Sequence, residues 1–343
     1  MKALVLESYN HLVYKDFPDP EIKPDEVLVH VKACGICGSD VHGLDGSTGR
    51  RIPPLIMGHE ASGVISKTGS DVRGWNPGDR VTFDSTVYRL DDWFTRRGLY
   101  NLSDNREVLG VSPGTYRRHG AFAEYVAIPS HILYRIPDSV SFEQAAMVEA
   151  FAVALHSINI SVIRPGNTCL VVGAGMIGIS IIKLLRLAGA STVIAVDINE
   201  QRLVKAQKAG ADYGFLAGDV NLPGEIRDLT ESRGADISFE AAGRNDSVKM
   251  AIENVRKGGK IVLVGNISPY IDFPLQKVVT GELKVFGSCA ICGEYETVLD
   301  YMKSGKVSVD DQISAVVPLS EGAQWFTRLS GNKGDIDKVI LKP

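Results

Sequence analysis

The chain has 343 residues, 44% of them hydrophobic and 23% charged, and its 37 Lys and Arg against 41 Asp and Glu give a formal net charge of −4. These values exclude a disordered chain, a collagen-like repeat and a coiled coil, and they argue against nucleic acid or anionic membrane as a partner. The odd count of 5 cysteines argues against a secreted disulfide framework and leaves metal or redox roles open, while the length predicts two domains.

The first half of the chain is predicted to be rich in β-strands. The N-terminus reaches Glu7 before a long apolar core can form, so it predicts a first strand and not a signal peptide. Further short apolar or alternating stretches, bounded by turn signals, predict strands at 27–31, 63–65, 80–83 and 121–128. The segment 141–144 matches a capping box and predicts a helix over 142–158, in which Glu149 lies among apolar residues.

From about residue 168 the pattern changes to strands that alternate with helices. The predicted strands lie at 168–172, 193–196, 236–239 and 260–264, and the first helix ends at Leu187. This alternation predicts a parallel sheet covered by helices on both faces. The uncharged run 165–182 has 18 residues, but its glycines and the Lys183 that follows favour a buried strand, turn and helix over a membrane span. We therefore expect a cytoplasmic chain with no membrane partner.

A glycine motif lies between the strand at 168–172 and the helix that follows, which is the context that makes it a dinucleotide fingerprint. Gly173 permits the tight turn, Gly175 lets the backbone approach a pyrophosphate, and Gly178 lets the helix pack closely on the strand. Asp197 ends the next strand, 19 residues after Gly178. Its carboxylate suits ribose hydroxyls and repels a 2′-phosphate, so NAD is favoured over NADP. The predicted cofactor-binding residues are Gly173, Gly175, Met176, Ile177, Gly178, Asp197 and Arg202.

A second motif offers metal ligands. Cys37 lies in the segment Gly-Ile-Cys-Gly-Ser-Asp-Val-His, and His59 and Glu60 follow a proline-rich turn. Catalytic zinc sites combine three protein ligands, drawn from thiolate, imidazole and carboxylate, with one open position. The spacing alone does not separate such a site from a buried cysteine and a solvated turn.

The two motifs together carry a family resemblance. The order GxCGSDxH, GHE, NPGDRV, GAGMIG and a strand-ending Asp resembles the zinc-dependent medium-chain alcohol dehydrogenases, most closely their sorbitol (polyol) dehydrogenase branch, over essentially the whole chain. The resemblance implies an α/β enzyme with a GroES-like β-rich catalytic domain at 1–152 and a doubly wound Rossmann NAD-binding domain at 153–287. It implies that residues 288–343 return to the catalytic domain, and that the protein is a homodimer or homotetramer.

The resemblance also implies roles for individual residues. Those carried over by position are the catalytic zinc ligands Cys37, His59 and Glu60, the carboxylate Glu149 beside the zinc, Asp40 as the partner that orients His59, and the proton relay Ser39 and His42. Glu149 would bind the zinc directly or through water. Its apolar surroundings argue against an ordinary surface position, because a buried carboxylate needs a partner.

The sequence departs from the family where many relatives bind a second, structural zinc through four cysteines. The corresponding places hold Arg89, Asp92, Thr95 and Ser103. We therefore predict one catalytic zinc and no structural zinc in each chain. The lobe at 84–110 should then be held by Arg–Asp pairs or by packing, with Trp93, Phe94 and Tyr100 as candidates.

A second departure concerns the substrate. Ala290 and Ile291 stand where sorbitol dehydrogenases place an Arg-Tyr pair, so sorbitol itself is less well supported, and the nearby Cys289 and Cys292 are interpreted as packing residues. The predicted activity is reversible oxidation of a secondary alcohol of a polyol-like substrate to a ketone with NAD. Galactitol 1-phosphate 5-dehydrogenase and L-threonine 3-dehydrogenase activities remain alternatives, as does a non-catalytic NAD-binding protein. A phosphorylated substrate would need basic residues, for which Arg50, Arg51, Arg117 and Arg118 are available.

Overall fold

A computed structural model describes residues 1–112, 118–331 and 336–343 of the chain. In chain order the strands are β1 (Lys2–Ser8), β2 (His11–Asp16), β3 (Glu26–Gly35), β4 (Leu55–Ile56), β5 (Glu60–Thr68), β6 (Arg80–Phe83), β7 (Thr86–Val87), β8 (Glu107–Val108), β9 (Tyr125–Pro129), β10 (Leu133–Arg135), β11 (Thr168–Val172), β12 (Thr192–Asp197), β13 (Tyr213–Leu216), β14 (Ala235–Glu240), β15 (Val255–Leu263), β16 (Lys284–Gly287), β17 (Ile313–Pro318) and β18 (Lys338–Lys342). The α-helices are α1 (Gly38–Gly43), α2 (Phe142–Ala146), α3 (Val148–Ser161), α4 (Met176–Leu187), α5 (Glu200–Lys208), α6 (Leu222–Asp228), α7 (Asn245–Glu253), α8 (Leu275–Thr280), α9 (Glu294–Lys303) and α10 (Gly322–Ser330). In this described part of the chain, no helix combines the length and apolar character that crossing a bilayer requires.

The chain forms two compact units. The first contains residues 1–149 and the described residues after 290, and the second contains residues 150–290. The chain divides after residue 149 and after residue 290, and the boundaries predicted from the sequence lie at 152 and 287.

The first unit is built on a mixed sheet whose described strands follow the order β10-β6-β5-β3-β18-β17, with β9 also paired to β3. Its central strand β3 alternates fully buried Val27, Val29 and Val31 with less buried neighbours, so its core face packs on the apolar interior. The strand β18 lies antiparallel beside β3, with Leu341 opposite Cys34. The strand β18 therefore lies inside the sheet that contains β3, between β3 and β17.

One strand prediction in this unit is too long. The expected strand 121–128 begins only at Tyr125. The reason is its backbone partners, because Ala121 and Phe122 donate to the carbonyls of Gly58 and Met57, which lie in the loop before His59 and not in a strand.

Residues 150–290 of the second unit hold six parallel strands in the order β13-β12-β11-β14-β15-β16. This is the order of a doubly wound dinucleotide-binding sheet, with its switch point between β11 and β14. The strands at 168–172 and 193–196 and the helix ending at Leu187 are confirmed by β11, β12 and α4. The arrangement confirms the predicted α/β fold class.

The predicted helix over 142–158 is instead two helices. Ser141 caps α2 as expected, since Gln144 N donates to its Oγ at 3.0 Å and its own N donates to Gln144 Oε1 at 2.9 Å. The helix then closes at Met147, whose amide bonds three residues back to Gln144 O. A new helix, α3, starts at Val148, so Glu149 lies in its first turn.

Candidate metal centre and cofactor site

Cys37, His59 and Glu60 come together in the first unit. Cys37 follows the end of β3 and precedes α1, while Glu60 opens β5, and the antiparallel pairing of the two strands places Gly35 opposite Glu60. One ligand atom from each of the three residues lies within 4.8 Å of the other two. A thiolate, an imidazole and a carboxylate at this spacing fit zinc, which accepts all three.

The carboxylate of Glu60 has a partner that the sequence analysis missed. Lys338, at the start of β18, places Nζ 2.5 Å from Glu60 Oε2, and both side chains are only 2% exposed. Burial lowers the pKa of Lys338, but Glu60, Cys37 and Glu149 together raise it more, so the pKa lies above its ordinary value and the side chain is an ammonium. Gly35 leaves room for this pair, because a Cβ there would lie 2.5 Å from the same Glu60 oxygen.

Asp40 is completely buried and lies between two of the candidate ligands. Its Oδ1 lies 3.5 Å from His59 Nδ1, and its Oδ2 accepts from the backbone N of Cys37 at 3.3 Å. The guanidinium of Arg51 donates to Oδ1 from Nη2 at 2.9 Å and from Nε at 3.3 Å. Burial raises the pKa of Asp40, but His59 and Arg51 lower it more, so the group is a carboxylate.

Ser39 and His42 lie on the short helix α1, three residues apart, which puts them on one face. Both side chains are exposed, so they are available to a substrate and to water. Arg51 Nη2 donates to Ser39 Oγ at 3.3 Å, and this is a second contact that the sequence did not indicate.

Glu149 does not belong to the group of three. In the first turn of α3, its Oε1 accepts from Ser85 Oγ at 3.4 Å. Burial raises its pKa to about 7, with His59 lowering that pKa and Glu60 raising it. Glu149 is thus electrostatically coupled to the group without supplying a fourth ligand atom within it.

The glycine motif lies at the carboxyl end of β11 in the second unit. A Cβ on Gly178 would lie 1.8 Å from Gly173 O, so only glycine allows α4 to pack this closely on the strand. At Gly175 a Cβ would meet nothing within 4 Å, which leaves open space in front of the α4 N-terminus. Met176 and Ile177, the first residues of α4, are half-buried. Free backbone amides at a helix N-terminus bind phosphate groups, so this end of α4 fits a pyrophosphate.

Asp197 ends β12, the strand next to β11, and is buried. Its Oδ2 accepts from Ala174 N at 2.7 Å and its Oδ1 from Asn199 N at 2.9 Å. Arg202 Nη1 lies 3.8 Å from Oδ2. Each carboxylate oxygen accepts more than one hydrogen bond, so both can still receive a ribose hydroxyl.

The four places of the missing structural cysteines are connected by hydrogen bonds. Asp92 accepts from the backbone N of Phe94 at 2.9 Å, Thr95 at 3.2 Å and Asp104 at 3.2 Å. Ser103 Oγ accepts from Arg89 N at 3.3 Å. A carboxylate that accepts from three backbone amides therefore stabilises this lobe.

Aromatic packing adds to this lobe. Tyr100 stacks on Tyr88 with ring centroids 4.4 Å apart, and its hydroxyl accepts from Gly293 N at 2.7 Å. Trp93 lies edge-on to Phe94, but it is 57% exposed, so of the three predicted aromatic residues Tyr100 is the one whose contacts join the lobe to another segment.

The arginines considered for a phosphate differ in availability. Arg51 is buried against Asp40, and Arg118 Nη2 binds Glu26 at 2.7 Å. Arg50 is exposed, and Arg117 lies outside the described residues. Two of the four are therefore already paired with carboxylates.

The residues near the expected Arg-Tyr position have packing roles. Ile291 is fully buried, Cys292 Sγ donates to Gly98 O at 3.0 Å, and Cys289 is half-buried. None of these side chains supplies the charge or the phenol hydroxyl of an Arg-Tyr pair.

Comparison with known proteins gives a consistent family. Residues 23–138 match the alcohol dehydrogenase GroES-like domain, and residues 176–304 match the zinc-binding dehydrogenase family. The chain is 35% identical to D-xylulose reductase A of Aspergillus niger, over 97% of this chain and 94% of that protein. It is 31% identical to sorbitol dehydrogenase of Bacillus subtilis, over 100% of this chain and 97% of that one.

Among solved structures, galactitol-1-phosphate dehydrogenase from Escherichia coli is similar with a TM-score of 0.92 at 27% identity, and 100% of each chain is covered. The sequence identities of 35% and 31% cover nearly the whole length of the xylulose reductase and the sorbitol dehydrogenase, so the similarity lies in the sequence as well as in the fold. The chain therefore belongs to the zinc-dependent medium-chain alcohol dehydrogenase family, in its polyol dehydrogenase branch, and is an oxidoreductase.

Proposed function

We propose that the protein reversibly oxidises a secondary alcohol of a polyol to a ketone, with NAD as the hydride acceptor and one zinc ion held by Cys37, His59 and Glu60. The observation that carries the proposal is the group of three unlike ligands within 4.8 Å, with Asp40 directly behind His59. The similarity to a xylulose reductase and a sorbitol dehydrogenase supports a polyol as the substrate class.

When bound, zinc would supply a Lewis acid for the substrate hydroxyl and NAD would accept the hydride from the same carbon. Residues of the chain would orient the metal ligands and carry the proton. Asp40 lies 3.5 Å from His59 Nδ1 and faces that nitrogen, so the other ring nitrogen would be the one that binds the metal. Glu149, which is electrostatically coupled to His59 and Glu60, would stand beside the metal, directly or through water.

The proton of the hydroxyl leaves through the relay on α1. Ser39 would accept it, and His42, three residues along the same helix face, would receive it for transfer to water. An imidazole exchanges protons readily near neutral pH, and His42 is exposed to water that takes the proton away.

Asp197 supports NAD over NADP. Its two oxygens are positioned at the carboxyl end of β12 to accept ribose hydroxyls, whereas a 2′-phosphate would meet a negative charge that Arg202, 3.8 Å away, offsets only in part. We expect NADH to bind more tightly than NADPH when both are titrated by fluorescence.

Galactitol 1-phosphate is the second candidate because a galactitol-1-phosphate dehydrogenase is among the similar structures. The pairing of Arg51 and Arg118 with carboxylates weighs against a phosphorylated substrate. Nothing in the site favours threonine.

We also propose that the protein forms a homodimer or homotetramer. Light scattering after gel filtration tests this oligomeric state.

The test is a screen that follows NADH absorbance with sorbitol, galactitol 1-phosphate and threonine as donors and with D-xylulose as acceptor. We expect one zinc per chain, turnover with an unphosphorylated polyol or ketose, and a Cys37→Ala variant that binds NADH but does not turn over. Normal activity in Cys37→Ala would contradict the mechanism. Two zinc ions per chain would contradict the prediction that the lobe at 84–110 binds no metal.

A further inference from the structure

A buried arginine joins the two halves of the proposed catalytic machinery. We propose that Arg51 is a positioning residue, which through Asp40 holds two of the zinc ligands in place and through Ser39 sets the direction of the proton relay. This inference rests on the proposed function and goes beyond it, because neither the family resemblance nor the predicted site residues gave Arg51 such a role.

The contacts of Arg51 use most of its donors. Nε and Nη2 reach Asp40 Oδ1, Nη2 also reaches Ser39 Oγ at 3.3 Å, and Nη1 donates to Arg50 O at 3.3 Å. The side chain is only 3% exposed. A planar guanidinium with its donors in a fixed fork can hold two acceptors in one geometry, which an ammonium cannot do.

The first effect is on the metal ligands. Asp40 Oδ1 is shared by Arg51 and His59, while Oδ2 holds the backbone N of Cys37 at 3.3 Å. Arg51 therefore fixes the rotation of a carboxylate that itself touches two ligands. Without the guanidinium, the carboxylate can rotate about its side-chain bond. The contacts that orient His59 and the backbone at Cys37 are then weakened.

The second effect is on Ser39. A serine hydroxyl has one hydrogen to donate and two lone pairs to accept with. Arg51 occupies one lone pair, so the hydroxyl hydrogen must point elsewhere and one lone pair remains for the proton of the substrate. An exposed hydroxyl that would otherwise rotate is thereby held in the orientation that a one-way relay needs.

The fold makes room for this arginine. A Cβ on Gly43, the last residue of α1, would lie 2.5 Å from Arg51 Cγ. The glycine thus leaves the space in which the stem of Arg51 passes under α1 to reach Asp40. Gly43→Ala is therefore a second way to displace the guanidinium without changing its chemistry.

The experiment uses the zinc-loaded full-length enzyme and has two readouts. The first is the half-time of zinc release to an excess of a coloured chelator, which needs no substrate. The second is the solvent deuterium isotope effect on kcat with the best polyol. The variants are Arg51→Met, Arg51→Lys and Gly43→Ala. The control is Arg80→Met, because Arg80 is a partly buried arginine of the same unit that donates to the backbone oxygens of Pro137 and Val140, packs over the Phe142 ring and lies 4.0 Å from the exposed Asp138.

We expect Arg51→Met to release zinc about 10- to 100-fold faster than the wild type, because removing the partner of a metal ligand weakens metal affinity by about that factor. We expect its solvent isotope effect to rise as proton transfer becomes limiting. Arg51→Lys keeps the charge but not the fork, so it should hold zinc better than Arg51→Met and still show the raised isotope effect. Gly43→Ala should accelerate release in the same direction, and Arg80→Met should lower the melting temperature only.

Zinc release at the wild-type rate in both Arg51→Met and Gly43→Ala would overturn the inference, and an unchanged solvent isotope effect would overturn its relay half. If Arg51→Met does not fold, Arg51→Lys and Gly43→Ala still decide. A wild-type protein that binds no zinc would overturn the proposed function itself, so the two failures are distinguishable.

Discussion

Replacing Lys338 by Met tests the buried ion pair behind the candidate metal centre. The substitution keeps the length of the side chain but removes the ammonium that lies 2.5 Å from Glu60 Oε2, where both side chains are 2% exposed. Removing one partner of a buried pair leaves the other charge uncompensated and costs about 3 to 5 kcal/mol. Since a whole domain is stable by about 5 to 15 kcal/mol, the metal-free variant should be marginal.

Metal should recover part of that loss. A divalent cation on Glu60 replaces the missing positive charge, and any ligand that binds only the folded chain adds stability by mass action. The assay is urea unfolding of the chelator-treated wild type and variant, each repeated with added zinc. The double variant Lys338→Met with Glu60→Gln should be more stable than Lys338→Met alone, because it no longer buries an unpaired carboxylate.

The same strand supplies the control. Lys342, at the end of β18, pairs with Glu143 at 2.7 Å, but its side chain is 51% exposed. Lys342→Met should cost less than about 1 kcal/mol, as exposed pairs do. Equal losses for Lys338→Met and Lys342→Met, or a double variant no more stable than the single one, would refute the reasoning.

Three other perturbations have definite expected results. Gly178→Ala would put a Cβ 1.8 Å from Gly173 O and push α4 off its strand, so NADH fluorescence titration should show binding at least about 10-fold weaker while zinc content stays unchanged. Burial raises the pKa of Asp84 from 3.8 to about 7. Between these values the folded chain keeps a proton on Asp84 that the unfolded chain has lost, so this group should lower stability by up to about 1.4 kcal/mol per pH unit as the pH rises. Asp84→Asn should therefore reduce the slope in urea unfolding between pH 5 and pH 7, while Glu149, whose pKa is also about 7, keeps its own share. Asp92→Ala leaves three amides without their acceptor and should cost about 1 to 3 kcal/mol, with faster proteolysis confined to the lobe.

The parts of the fold that follow from local pattern could be predicted from the sequence. The helix α4 ends at Leu187 as expected, because Gly189, with φ +92°, stops it. The segment 121–128 could not be predicted in the same way. Its alternation is that of a strand, but whether a stretch pairs as one depends on partners far along the chain, and here the partners of Ala121 and Phe122 are loop carbonyls.

The candidate site divides in a similar way. The sequence alone could indicate Cys37, His59 and Glu60 as candidate ligands, because their residue types and order are distinctive. Lys338 lies 278 residues from Glu60, at the edge of an apolar strand where a lysine is commonly solvent-exposed, so no local signal marks it. Arg51 belongs to a pair of arginines shortly before two prolines, a pattern that is typical of a charged turn. The sequence therefore indicates at most a contact with a substrate phosphate.

These two missed cations explain how the first unit tolerates its buried acids. With zinc bound, the Cys37 thiolate, the Glu60 carboxylate and the Asp40 carboxylate would carry three negative charges in a region shielded from water, while Lys338 and Arg51 supply two positive ones. Without metal the balance is close to neutral, so the chain can fold before it is loaded. A divalent cation would then add positive charge at the ligand group. Such a charge favours the loss of a proton from a hydroxyl held there, so the pairs that make the site stable would also prepare it for the first step of alcohol oxidation.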